Sequence, residues 1–329
     1  MKTRREFLIA SSAGIVLLAA TPASLAQQKG KVWRIGFLGS ASASGFAGRV
    51  DALRAGLREL GYVEGRNLVI EFRWAEDKYE RLPDLAAELV RLKVDVIVTH
   101  GPGIPAAKNA TTTIPIVMAV SGDPVGLGFV ASLARPGGNV TGMTGINPET
   151  IAKRLELLMD AFPRTKQVAV LFNPDNPMYS RLVFPTMEAT AKSLRLELQQ
   201  FGVRRSGEFD SAFAAMAKRR VDAVVSVDDP VLIANAGAIA NLAAKMRLPS
   251  IGLPELAEAG GLMAYGANRR ELFRRAAYFV DRIFKGAKPG DLPVEQATRF
   301  ETVLNLKTAK ALGIQFPQAV LARADRVIE

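Results

Sequence analysis

Histidine occurs once in this 329-residue chain, as His100, and cysteine does not occur at all. Thiolate nucleophiles, disulfides and cysteine-based zinc sites are therefore excluded, and one imidazole cannot build a multi-histidine metal centre. Neither a metal nor a cofactor is expected. What remains for chemistry is a set of small polar residues that follow short apolar runs. Ser40 and Ser42 follow the first run, Thr99, His100 and Gly101 close another, and Ser121 and Asp123 lie beyond the next. In the second half, Asn173 and Asn176, then the adjacent Asp228 and Asp229, take comparable places, with Tyr265 after a later run. Backbone N–H groups at helix starts near Ser40, Gly101 and Ser121 suit a carboxylate. Asp123, Asp228 and Asp229 compete for an ammonium, and Tyr265 and His100 can stack on an apolar or aromatic side chain. Together they describe a site for a small zwitterion.

The same residues have purely structural uses. Asp before Pro caps helices and makes turns, which applies to Asp123 and Asp229, and Asn173-Pro174 is turn chemistry. His100 can serve as a hydrogen-bonded loop residue, and Tyr265 as ordinary packing. Catalytic motifs are absent or misplaced. Gly101-Pro102-Gly103-Ile104-Pro105-Ala106 fits a Gly-x-Gly-x-x-Ala pattern. It follows the third strand rather than the first, and its prolines lack the N–H groups a pyrophosphate would use. Neither a Gly-x-x-x-x-Gly-Lys-Ser/Thr loop nor a Gly-x-Ser-x-Gly elbow occurs. Asp228 and Asp229, neighbours at a strand end, point apart and make a poor acid–base pair. The chain is not expected to be an enzyme. The alternatives are an exported hydrolase or isomerase using Asp228 or Asp229 with His100, and a ligand-sensing lobe for a membrane signalling protein.

The elements that carry these residues alternate apolar runs with amphipathic stretches, as βαβ units on parallel sheets do. Strands are predicted at 32–38, 68–72, 94–99 and 114–120, with helices at 46–60, 79–92 and 104–110. Gly61, just past a helix end, suits a left-handed cap. A second series follows, with strands at 167–172, 196–203, 221–227 and 250–251 and helices at 149–161, 179–194, 208–219 and 230–246. The two halves are alike in order and length. A run at 260–266, a helix at 269–284, a strand at 301–306 and a helix at 307–312 are too few for a third domain and read as the chain recrossing to complete both sheets. In open parallel sheets, ligands sit beyond the carboxyl ends of the strands, where the polar residues above fall.

Thr3-Arg4-Arg5-Glu6-Phe7-Leu8 places two arginines before an apolar run that ends near Ala20, and Ser24-Leu25-Ala26 follows as a small-x-small cleavage site. The run is shorter than the about 20 residues of a spanning helix and reads as an export signal over 1–26, of twin-arginine type, or of Sec type with an incidental Arg-Arg. The mature protein is expected in the periplasm, cleaved near Ala26, without a lipid anchor or stable membrane insertion. The formal charge of +11 is spread along helices beside acids, as at Arg54, Arg58 and Glu59. No nucleic-acid-reading motif accompanies it.

Three stretches are long enough to carry a family likeness: Leu57-Arg58-Glu59-Leu60-Gly61-Tyr62-Val63-Glu64-Gly65-Arg66-Asn67-Leu68, Gly122-Asp123-Pro124-Val125-Gly126-Leu127-Gly128 with Leu133-Ala134-Arg135-Pro136-Gly137-Gly138-Asn139-Val140-Thr141-Gly142, and Gly260-Gly261-Leu262-Met263-Ala264-Tyr265-Gly266. Asn305-Leu306-Lys307-Thr308-Ala309-Lys310-Ala311-Leu312-Gly313 adds a fourth. With these the chain resembles an ABC-transporter substrate-binding protein family that includes tryptophan/tyrosine-type components (the TrpX-like group). The resemblance covers essentially the whole mature chain. It implies a type I periplasmic binding fold, with two doubly wound parallel-sheet lobes, three hinge crossovers and a ligand in the cleft. The lobes are expected at 30–146 plus 262–290 and at 147–261 plus 291–329. It further implies a monomeric solute receptor for an amino acid or aromatic compound, with ABC permease subunits of the inner membrane as partners. At Thr99-His100-Gly101-Pro102-Gly103 the chain departs from the family pattern, placing a histidine and an extra glycine in one cleft wall.

Overall fold

Thirteen strands and twelve helices follow one another over residues 31–145 and 148–329, the parts described by the computed structural model. The expected export signal at 1–26 lies outside the described residues. The first half runs β1 (Trp33–Gly39), α1 (Ala43–Glu59), β2 (Leu68–Trp74), α2 (Leu82–Arg91), β3 (Val96–His100), α3 (Gly103–Ala110), β4 (Ile116–Ser121) and β5 (Val140–Thr144). The second runs α4 (Pro148–Ala161), β6 (Gln167–Phe172), α5 (Phe184–Leu194), β7 (Glu197–Gly202), α6 (Phe209–Lys218), β8 (Ala223–Ser226), α7 (Pro230–Ala234), α8 (Ala236–Lys245), β9 (Ser250–Gly252), α9 (Pro254–Glu258) and β10 (Met263–Ala267). The remainder comprises α10 (Arg269–Phe284), β11 (Glu295–Gln296), β12 (Phe300–Asn305), α11 (Leu306–Leu312), α12 (Gln318–Leu321) and β13 (Arg326–Ile328).

Two sheets result, in the orders β11-β5-β4-β3-β1-β2 and β13-β12-β10-β9-β8-β6-β7. Each has the same doubly wound core, with the first strand of its series inside the second. All pairs are parallel except β10 with β12. The runs Val96–His100 and Ile116–Ser121 are buried throughout, because helices cover these strands on both faces and no polar alternation is needed. In the first lobe α10 packs on α1 and on β3, β4 and β5, while α2 and α3 pack on each other and on the strands. In the second, α4 packs with α5, β9 and β10, and α9 with α8, β9, β10 and β12. Gly61 takes φ +89 after α1, as its position predicts.

The lobe boundaries depart from expectation at the return. Residues 262–267 are expected in the first lobe, but Met263–Ala267 pairs with β9 and β12 and so belongs to the second sheet. Residues 291–296 move the other way. Glu295 and Gln296 pair with β5, and Leu292 O accepts the Thr141 hydroxyl at 2.7 Å. The chain thus passes between sheets between β5 and α4, at Ala267–Asn268 and between β11 and β12. β5 escaped the sequence reading because Gly142 interrupts its apolar pattern. A Cβ there would lie 2.2 Å from Met118 O, so the glycine permits close pairing with β4. The helix predicted over 230–246 is two, broken at Asn235, whose side chain donates to Val231 O at 2.8 Å. A π-turn at Tyr179–Val183 precedes α5.

Candidate functional site

A cavity of about 280 Å³ lies beyond the carboxyl ends of both sheets, at the small end of the volumes that small-molecule sites occupy. Its first-lobe wall is built by the residues that follow β3 and β4 together with Tyr79 and the start of α3. The opposite wall comes from Asp175–Met178 and from Asp228 and Pro230 after β8, with Arg269 at the second crossing. Apolar surface dominates through Leu82, Ile104, Leu127, Phe129 and Met178, and a few polar groups converge on it.

Of the twelve residues singled out in the sequence, His100, Gly101, Ser121, Asn176 and Asp228 line this cavity. His100 is 2% exposed, stacks on Phe46 with ring centroids 4.5 Å apart, and its Nε2 has no protein partner. Burial pushes its pKa down to about 3, helped by the guanidiniums of Arg49 and Arg269, so the imidazole is neutral at physiological pH. Ser121 Oγ is likewise buried and unpartnered. Gly101 takes φ +50, and a Cβ there would stand 3.3 Å from Pro230 Cγ of the other lobe, so glycine meets both a conformational and a steric demand.

Four of the twelve are buried outside the lining. Ser40 Oγ has no partner, Thr99 Oγ1 donates to Leu38 O at 2.9 Å, and Asn173 donates to Asp229 Oδ1 at 3.4 Å. Asp229 caps α7 by accepting Val231 N at 3.0 Å and also accepts Tyr79 OH at 2.8 Å and Asn176 Nδ2 at 3.2 Å. Three expectations are corrected. Ser42 is the N-cap of α1, accepting Gly45 N at 3.2 Å. Asp123 accepts the N–H groups of Val125 and Gly126 and shapes a turn. Tyr265 stacks on Phe300 with centroids 6.1 Å apart and turns its side chain to packing. These side chains are consumed by local backbone donors or by a neighbouring ring. No hydrogen bond joins His100 Nε2 to either aspartate, so the dyad a hydrolase would need is not formed at that nitrogen.

The residues missed by sequence reasoning are charged groups brought together by the fold. Asp228 lies between Arg154 of α4, at 2.6 Å, and Arg269 of α10, at 3.2 Å. The Arg154 contact is ionic, its angles falling outside those of a hydrogen bond. Arg154 is fully buried and also donates to Ser226 O and Tyr265 O, both at 2.9 Å. A charge at Arg154 on the apolar face set by Ile151, Leu155 and Leu158 was the signal available in the sequence. Arg269 opens a helix, where the macrodipole disfavours a cation, and that anomaly was also legible.

Further contacts join the two lobes. Besides the Tyr79–Asp229 hydrogen bond, Arg49 of α1 pairs with Glu255 of α9 at 3.0 Å. Burial drives the Glu255 carboxyl upward, but Arg49 and Arg269 outweigh it and hold it below the usual range. Gly45 abuts Ala234, with a Cβ at position 45 falling 2.4 Å from the Ala234 Cβ. The lobes are closed on each other.

Burial raises the Asp229 carboxyl from 3.8 to about 6, against the pull of its hydrogen bonds from Tyr79, Asn176 and Val231. The folded state therefore binds a proton more readily than the unfolded chain, and stability from this group is present below pH 3.8 and lost as pH rises to about 6. A shift of this size corresponds to roughly 3 kcal/mol at most. Asp229→Asn should remove that slope. The stability of the wild type relative to the variant is expected to fall between pH 4 and pH 6, read from urea melts at each pH. A constant difference across that range would contradict the burial argument.

Among the described residues, no group of three or more His, Cys, Asp or Glu could hold a metal ion, and no helix is long and apolar enough to cross a membrane. Two like α/β lobes, with a small cavity at the facing strand ends, define the type I periplasmic binding fold. A family model described as "ABC transporter substrate binding protein" matches residues 37–328, and the chain belongs to that family. A tyrosine-binding protein of Clostridioides difficile (strain R20291) is 29% identical over 261 residues, which is 79% of this chain and 74% of that protein. Among solved structures, an ABC domain from Streptococcus pneumonia in complex with L-Trp matches with a TM-score of 0.81 and 27% identity, covering 90% of this chain and 99% of that one. A conserved domain protein from Vibrio cholerae matches with a TM-score of 0.83 and 27% identity, over 90% of this chain and all of the other.

Proposed function

We propose that this chain is the periplasmic receptor of an ABC importer, capturing a small carboxylate-bearing compound with an apolar body and presenting the closed form to permease subunits in the inner membrane. The observation that carries this reading is a cavity walled by both lobes at the ends of both sheets, with Tyr79–Asp229 and Arg49–Glu255 contacts joining the lobes. A solute that touches both walls favours the closed arrangement by its differential affinity for it. The similarity to a tyrosine-binding protein and to an L-Trp complex supports a carboxylate joined to an apolar group. The export signal expected at 1–26 supports the periplasmic location.

The test is a thermal-shift screen of mature protein against amino acids, aromatic acids and branched-chain acids. A solute at 100 times its Kd stabilises the native state by about 2.7 kcal/mol, enough to raise Tm by roughly 5 °C or more. Recovery of that compound unaltered separates a receptor from a hydrolase. Flat melting curves across the screen at millimolar concentration would remove the basis for the reading.

A further inference from the structure

We propose that the captured solute is an apolar carboxylate without an α-ammonium group, its carboxylate set against Arg269, His100 and Ser121. This deepens the receptor reading and rests on it. The protein leaves several polar groups unpaired at the cavity. Ser121 and His100 are among its lining residues, and their Oγ and Nε2 atoms are buried without a protein partner. Arg269 lines it as well, and its Nε is buried without a partner. Buried polar groups of this kind call for a hydrogen-bonding complement, and three such groups among the lining of one cavity fit the two oxygens of a carboxylate.

The carboxylates an ammonium would need are already paired with cations or wrapped by donors. Asp228 faces Arg154 at 2.6 Å and Arg269 at 3.2 Å. Two guanidiniums around one carboxylate leave that wall positive and repel a second cation. Asp229 is wrapped by Tyr79, Asn173, Asn176 and the Val231 N–H. Asp175, at the rim, pairs with Arg204 at 3.1 Å and is about half exposed to water. An ammonium brought into this cavity would lose its hydration without gaining an uncommitted carboxylate, which is costly. The rest of the wall, from Leu82 and Ile104 to Phe129, suits an aryl or branched alkyl body.

The experiment uses mature protein, unfolded and refolded to strip carried-over solute, and calorimetric titration with matched pairs. These are 3-phenylpropanoate and phenylpyruvate against L-phenylalanine, and 4-methylpentanoate against L-leucine. At least one acid is expected to bind about 30-fold or more tighter than its amino-acid counterpart, the scale of one charge-assisted hydrogen bond left unmatched. Equal or tighter binding of the amino acid overturns the inference and leaves the receptor reading standing. No binding by either member of any pair overturns both together. Arg269→Gln should weaken the acid about 10-fold or more and, by leaving Asp228 with Arg154 as its one cation, move the preference toward the amino acid. A merely structural Arg269 would not change that ratio, and an unchanged ratio in folded variant counts against the assignment. Ser121→Ala is the milder second variant. It should cost the acid about 5-fold with the fold intact, and no loss would exclude Ser121 from the carboxylate position.

Discussion

Leucine at position 45 is expected to weaken solute binding by roughly 10- to 100-fold while leaving each lobe folded. The binding solute found in the matched-pair titration serves as the probe. Gly45 lies in the first turn of α1, where its Cβ position is 2.4 Å from Ala234 Cβ and 2.9 Å from Ala234 Cα. A side chain there meets backbone as well as a methyl group, so no rotamer change relieves the clash. Only separation of the lobes does. Forced extra volume costs about 1–3 kcal/mol, and that cost falls on the closed state alone. Within α1 the same change is favourable, since Leu exceeds Gly in helix propensity by up to about 1 kcal/mol. The two readouts therefore move in opposite directions. Titration should show lost affinity, and thermal melting without solute should show a Tm equal to or above the wild type. Small-angle scattering should give a larger radius of gyration with solute than the wild type has. Undiminished affinity in Gly45→Leu would mean that α1 and α7 do not approach in the binding state.

Arg154→Met is expected to lower Tm by about 10 °C, the largest stability effect this structure supports. The guanidinium is wholly buried and satisfies two carbonyls and a carboxylate at once. Removing one partner of a buried charge pair costs about 3–5 kcal/mol, because the other charge is left in low dielectric. For a chain of this size each kcal/mol moves Tm by about 2–4 °C. Asp228 retains Arg269, so the loss should be partial and Asp228→Asn should offset some of it in the double variant. A single variant melting within about 3 °C of the wild type would show that Arg269 alone suffices for Asp228.

The sequence makes the frame legible because parallel strands buried on both faces announce themselves as apolar runs, as Val96–His100 and Ile116–Ser121 do. Polar residues at the ends of those runs also lead to the cavity, which is how His100, Ser121 and Asp228 are found. The difficulty is that strand ends need caps and turns as much as ligands do. Ser42, Asp123 and Asp229 each hold a backbone N–H two or three residues on, and nothing in composition separates that use from binding. Tyr79 is harder still. It reaches Asp229 from a segment whose preceding residues Glu76 and Asp77 both take positive φ, 53 and 65, a path no periodicity forecasts. The motifs that carry the family likeness are largely architectural. Asn67 binds Val63 N and Gly61 O in the loop after α1, and Asn305 caps α11 while holding Ala257 O. They explain a shared scaffold and say little about its guest.

The late crossings have a consequence for synthesis. The first sheet lacks its α10 cover until residue 284 is made and its β11 edge until residue 296, and the second sheet waits for β12 and β13. The first sheet cannot be completed until most of the second has been translated, and the second is completed last. The apolar surface of β3, β4 and β5 that α10 covers is uncovered through most of elongation, so this nascent chain is expected to need chaperone shelter longer than a protein of two sequential domains would.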